Sequence, residues 1–123
     1  MRCPKCKAEM DKVAMAEGVV DRCPGCQGLW FDLQEHEDLK KHAKALDIGS
    51  AEAGAKYNSI DRIHCPMHPG SEMLRMVDPK QPHIWFESCP ICQGRFYDAG
   101  EYRDFAEFTL GDLVKRFTTP ARD

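Results

Sequence analysis

The chain has 123 residues, of which 17 are Lys or Arg, 20 are Asp or Glu and seven are Cys, and its formal charge is −3. No apolar run approaches the roughly 20 residues that span a bilayer, so no membrane role is expected. The odd cysteine count suits a disulfide framework poorly, and the acidic balance handicaps recognition of any partner through its phosphates.

In chain order, the first signal is Cys3-Pro4-Lys5-Cys6, answered by Cys23-Pro24-Gly25-Cys26. Between them, the alternation of Val and Met predicts two short strands over 10–16 and 19–22, with Glu17-Gly18 as the turn. After the second pair, Asp32 and Glu35 have capping-box spacing and predict a helix start. Leu39, Ala43 and Leu46 mark its apolar face, with His36 and His42 on the solvent side. The stretch 47–62 is rich in Ala, Gly and Ser and reads as a linker, with room for partial helix, that can let the two halves move independently.

The second half opens with Cys65-Pro66-Met67-His68 and closes its metal motif with Cys89-Pro90-Ile91-Cys92. Strands are expected over 73–77 and 83–88 around the longer loop Asp78-Pro79-Lys80-Gln81-Pro82. Asp98 and Glu101 repeat the capping-box spacing, and Tyr102, Phe105 and Ala106 fall on one side of the helix that follows. From Thr109, the spacing of Leu110, Leu113, Val114 and Phe117 predicts a separate amphipathic helix over 109–119.

The halves are copies. Glu9-Met10 answers Glu72-Met73, Gln27-Gly28 answers Gln93-Gly94, Asp32 answers Asp98, and Glu35 answers Glu101. Tetrahedral zinc takes four Cys or His ligands as two close pairs. That rule predicts one site from Cys3, Cys6, Cys23 and Cys26 and another from Cys65, His68, Cys89 and Cys92. His64, directly before Cys65, competes with His68 for the fourth position, and His83 is a more distant candidate. Two structural Zn2+ ions are therefore expected. Iron in a rubredoxin-like first site is the alternative, but Lys7 and Gln27 stand where rubredoxin knuckles usually carry glycine. The fold class predicted is small α+β: tandem zinc ribbons over 1–46 and 63–108, each a knuckle pair with a short β-hairpin followed by a helix. Halves of about 60 residues bury too little surface to fold comfortably without such staples.

The combination of Cys-Pro-x-Cys with Met10, Gly18-Val19-Val20-Asp21, Cys23-Pro24-Gly25-Cys26, Gly28, Trp30, Asp32 and Glu35 resembles the TFIIB-type zinc-ribbon family of small bacterial proteins. The resemblance covers most of residues 2–40 and, less closely, 64–104, where Arg95-Phe96 stands at the position of the family's tryptophan. It implies zinc binding and a link to transcription.

Four ligands per site leave no open position for a reacting water, and no nucleophile motif, phosphate-binding loop or separated carboxylate pair is present in the sequence. The expectation is a non-enzymatic zinc-binding adaptor or regulatory protein. It would present Trp30, Phe31, Trp85, Phe86, Phe96 and Tyr97 to a protein partner. The segment Leu110 to Phe117 would dock back on the chain or form a dimer. Nucleic-acid binding is the alternative, through Lys5, Lys7 and Lys12 and through Lys40, Lys41 and Lys44, each group otherwise read as solvated surface. Seven thiolates and two zinc ions take the formal charge from −3 to about −6, which tilts the reading toward proteins. Met1-Arg2-Cys3 leads straight into a ligand, and reduced thiols suit zinc, so a cytoplasmic location is expected.

Overall fold

Strand pairing runs without a break from one half of the chain into the other. The computed structural model describes residues 1–60, 62–81 and 83–106. In ribbon 1 the strands are β1 (Asp11–Met15), β2 (Gly18–Arg22) and β3 (Leu29–Phe31), and in ribbon 2 they are β4 (Leu74–Val77), β5 (Trp85–Ser88) and β6 (Arg95–Tyr97). They form one six-stranded sheet in the order β1-β2-β3-β6-β5-β4. The first hairpin pairs Met15 with Gly18, so its two loop residues are Ala16 and Glu17, one position earlier than the expected turn.

β3 and β6 were not foreseen, because three residues are too few to show a period. They pair antiparallel, Leu29 with Tyr97, Trp30 with Phe96, and Phe31 with Arg95. Trp30 and Phe96 hold the same place in the two copies, so a local two-fold passes through this pair. Gly28 and Gly94 make the approach possible. A Cβ at Gly28 would lie 2.2 Å from Phe96 Cζ, and one at Gly94 would lie 2.3 Å from Trp30 Cζ2. Each copy's glycine thus receives the other copy's ring.

Alternation along the central strands divides the core between the two faces of the sheet. Leu29, Phe31 and Tyr97 join Leu39, Leu46, Phe86, Tyr102 and Phe105 on one face. Trp30 and Phe96 join the cysteines, Met10 and Met73 on the other. Of the six aromatic residues expected to face a partner, Trp30, Phe31, Phe86, Phe96 and Tyr97 are buried here, and Trp85 alone among them is exposed. Their large apolar area does more for folding than it could for a contact surface.

The helix expected after the first hairpin is broken into α1 (Glu35–Asp38), a 3₁₀ turn (Lys40–His42) and α2 (Ala43–Leu46). Leu39, Ala43 and Leu46 are buried as their spacing implied, so core contacts rather than continuous helix hold this segment. His36, expected on the solvent side, is buried instead, and its ring lies 6.2 Å from that of Phe105. Loss of hydration lowers its pKa to about 4. His42 does reach a solvent-side partner, Glu17, at 2.7 Å.

The capping-box carboxylates also do different work from that expected. Glu35 Oε1 accepts from Asp32 N–H at 3.1 Å, which is half of the box, while the Asp32 carboxylate accepts from Trp30 Nε1 at 3.2 Å. In ribbon 2, residues 101–106 are helical, and Asp47 contributes the cap from the other half. Its carboxylate accepts from Gly100 N at 2.9 Å and Arg103 N at 2.8 Å. Glu101 Oε2 accepts from the Trp85 amide at 3.2 Å, tying the helix to β5.

Residues 47–62 contain helix α3 (Ala51–Asn58), capped by Ser50 Oγ accepting from Ala53 N. A Cβ at Gly54 would meet the Ala99 carbonyl oxygen at 1.9 Å, so α3 packs directly on the ribbon 2 backbone. With Asp47 fully buried, this stretch is held to ribbon 2 by its contacts. The segment 109–119 lies outside the described residues. No helix among the described residues is long and apolar enough to cross a membrane.

Gly94→Ala or Gly28→Ala is expected to destabilise the protein by about 1–3 kcal/mol in chemical denaturation, the usual range for overpacking. Gly70→Ala, with open space at its Cβ, is the control that should stay near wild type. A second test concerns Glu101, whose carboxyl burial pushes up from the ordinary range near 4.5 to about 7. The fold then favours the protonated form, so this residue's contribution is present below about pH 4.5 and lost as pH rises through 7. Glu101→Gln should therefore gain melting temperature relative to wild type between pH 5 and pH 8. A pH-independent difference would contradict this assignment.

Candidate metal centres

Each knuckle is a backbone turn that aims amide N–H groups at its own first sulfur. Cys6 N donates to Cys3 Sγ at 3.5 Å, Cys26 N to Cys23 Sγ at 3.4 Å, and Ile91 N to Cys89 Sγ at 3.4 Å. Three of the four knuckles close identically, through Lys7 N to Cys3 O, Gln27 N to Cys23 O and Gln93 N to Cys89 O. Lys7, Gln27 and Gln93 have φ of 68°, 64° and 60°, the left-handed conformation for which glycine is the usual choice. The fourth knuckle cannot copy this turn, because Pro69 follows His68 and its ring fixes φ near −65°. It closes one residue later, with Cys65 N bonded to Ser71 O where Cys3 N is bonded to Ala8 O. This accounts for the one-residue shift between Glu9-Met10 and Glu72-Met73.

The structure brings the expected residues together in two groups. Cys3, Cys6, Cys23 and Cys26 form one and Cys65, His68, Cys89 and Cys92 the other, with the donor atoms of each group all within 4.8 Å of one another. Sulfur separations are 3.6 Å for Cys3 and Cys26, 3.2 Å for Cys6 and Cys23, and 3.7 Å for Cys65 and Cys92. His68 Nδ1 lies 3.8 Å from Cys65 Sγ. A disulfide requires about 2.05 Å, whereas the edge of a tetrahedron with bonds of about 2.3 Å is about 3.8 Å. His64 is exposed and bridges to Glu72 at the edge of the turn, and neither His64 nor His83 joins a donor group.

Within each group the sulfurs compete to ionise. Contact with the Cys26 thiol, opposed by burial, lowers Cys3 to about 5, while the same contact pushes Cys26 strongly up. Burial raises Cys23 to about 11 and Cys65 to about 12. At Cys89 burial opposes ionisation, but the Cys92 and Ile91 amides and the Ser71 hydroxyl prevail and lower it to about 6. Each group therefore favours one thiolate and resists the next. A bound 2+ charge is what lets the remaining sulfurs ionise.

Residues 2–42 match the family model of the transcription factor zinc-finger, a TFIIB-type zinc ribbon. Comparison with curated proteins and with solved structures gives no match. The match and the two donor groups together assign two structural zinc ions, one to each ribbon.

Lys5, expected on the surface, is the residue at this site whose role the sequence hid. Its side chain is fully buried, 2.7 Å from Asp98 Oδ2 and 3.2 Å from Glu87 Oε2, and it donates to the Tyr57 carbonyl at 3.1 Å. Its repeat counterpart, Met67, is exposed, and that loss of equivalence was the available signal.

At excess zinc, His68→Ala is expected to carry one zinc per chain and His64→Ala two, as counted by atomic absorption. The reverse pattern would exchange their assignments.

Proposed function

We propose that this is a non-enzymatic, cytoplasmic, zinc-built adaptor or regulatory protein that works by contact with a protein partner. The observation that carries the reading is where the exposed apolar side chains lie. Leu33, Leu74 and Met76 are exposed and line an open groove of about 600 Å³ between the two ribbons, together with Pro90 of the second zinc knuckle and the polar Gln34, Glu37 and Arg95. Ile91, next to Pro90, is 63% exposed. Clustered exposed apolar surface is the usual mark of a protein contact. Four donors in each group close the metal sites, which supports a structural rather than a hydrolytic role.

The lysines support the same choice. Lys5 is buried, Lys7 donates to the Pro4 carbonyl, and Lys12, Lys40 and Lys41 are paired with Asp21, Glu37 and Glu17. A phosphate backbone would have to compete for these cations. One observation favours nucleic acid as the second reading: Trp85 is 39% exposed, and the Arg75 guanidinium stands 5.4 Å from its ring centroid, a pairing suited to stacking on bases.

Fluorescence anisotropy with single-stranded and duplex DNA and RNA separates the two. The protein-contact reading expects no submicromolar binding at low or near-physiological salt. Submicromolar binding that weakens steeply with salt would overturn it and make Arg75 and Trp85 the positions to substitute. In affinity capture, the Leu74→Glu/Met76→Glu protein should keep two zinc ions yet lose the partner that wild type retains.

A further inference from the structure

The backbone of Lys5 lies inside the first knuckle, between ligands Cys3 and Cys6, but its ammonium ends inside ribbon 2. There it meets Glu87, two residues before ligand Cys89, and Asp98, just beyond β6. Two buried carboxylates share this cation through Glu87 Oε2 and Asp98 Oδ2, and their other oxygens, Glu87 Oε1 and Asp98 Oδ1, have no hydrogen-bond partner among the described residues. Taking the cation away would leave two buried acids with only the weaker attraction of Arg75, which proteins tolerate badly. Ribbon 2 in its observed form therefore depends on where the first knuckle holds Lys5.

The bridge is built once although the repeat offers two places for it. Asp21 and Asp32 stand where Glu87 and Asp98 stand in the other copy, but Met67 replaces the lysine. Asp21 is paired instead with Lys12, and Asp32 accepts from the Trp30 indole. Cysteines of both donor groups also belong to one apolar cluster, with Trp30 and Phe96 among them. The Lys5 ammonium is 5.8 Å from the Phe96 ring centroid.

We propose that Lys5 is a positioning residue that couples the two zinc sites, so that zinc is bound and lost as a pair. Closing the first knuckle on its metal fixes the Lys5 backbone and delivers the charge that ribbon 2 requires. By reciprocity of linkage, metal in ribbon 2 then strengthens the first site by the same factor.

Native mass spectrometry of the reduced, zinc-loaded chain during stepwise chelation reads this directly. When half the zinc has been removed, two identical independent sites leave about half the molecules with one zinc, and unequal independent sites leave more. Coupling is expected to hold the one-zinc form well below half. Lys5→Met, which places the residue of the second knuckle in the first, should raise that form at least two-fold. A wild-type one-zinc form at half or above would overturn the proposal, and so would a Lys5→Met protein as cooperative as wild type. Should Lys5→Met fail to fold, Cys89→Ser/Cys92→Ser supplies the second test, since it disables only the ribbon 2 site. Chelator competition should then find the first site several-fold weaker, and unchanged affinity there would overturn the coupling.

Discussion

The reciprocal seating of Trp30 on Gly94 and of Phe96 on Gly28 is the contact on which the rest of this structure depends. It lets two three-residue strands, each too short to persist alone, pair about a local two-fold and turn two hairpins into one sheet. Because side chains alternate along β3 and β6, the same pairing places one set of rings on the metal face and the other on the helical face. Both cores therefore cross the boundary between the copies. A ribbon of about 60 residues gains from its twin the buried area it lacks by itself.

The metal sites and the polar links act on this frame rather than beside it. Each donor group fixes two turns at the end of a hairpin, and zinc binding is part of the folding free energy in sites of this kind. The links between halves are unlike one another: a buried ammonium from ribbon 1 into ribbon 2, and a buried carboxylate, Asp47, capping the helix that follows ribbon 2. Duplication supplied a symmetric sheet, and divergence at Lys5 and Met67 made its two sides different. Five of the six knuckle aromatic residues are committed to the interior, and the exposed Leu33, Leu74 and Met76 line a groove between the segment after β3 and the strand β4.

The grouping of candidate donors was legible because metal chemistry is local: a knuckle needs two donors at fixed separation, and its spacing is printed in the chain. Hairpins were legible to within two residues, because their alternation is local too. The pairing of β3 with β6 was not, since three residues carry no measurable period and the partner is a non-local segment. Lys5 looked like surface because lysine usually is, and only the tertiary placement of Glu87 and Asp98 reverses that. Asp98 and Glu101 have the spacing of a capping box, yet packing gave both carboxylates other partners, and Asp47, far away in sequence, took the cap. Buried His36 was misread because helical spacing assigns faces only where the helix is continuous, and here it is broken after Asp38.

The most direct test of this account is the set of nuclear Overhauser contacts at the sheet centre of the zinc-loaded protein. Gly28 α-protons should contact the Phe96 ring and Gly94 α-protons the Trp30 ring, with cross-strand contacts between Trp30 and Phe96. Ribbons that each show their own hairpin contacts while lacking all of these would contradict the single sheet and the shared core built on it.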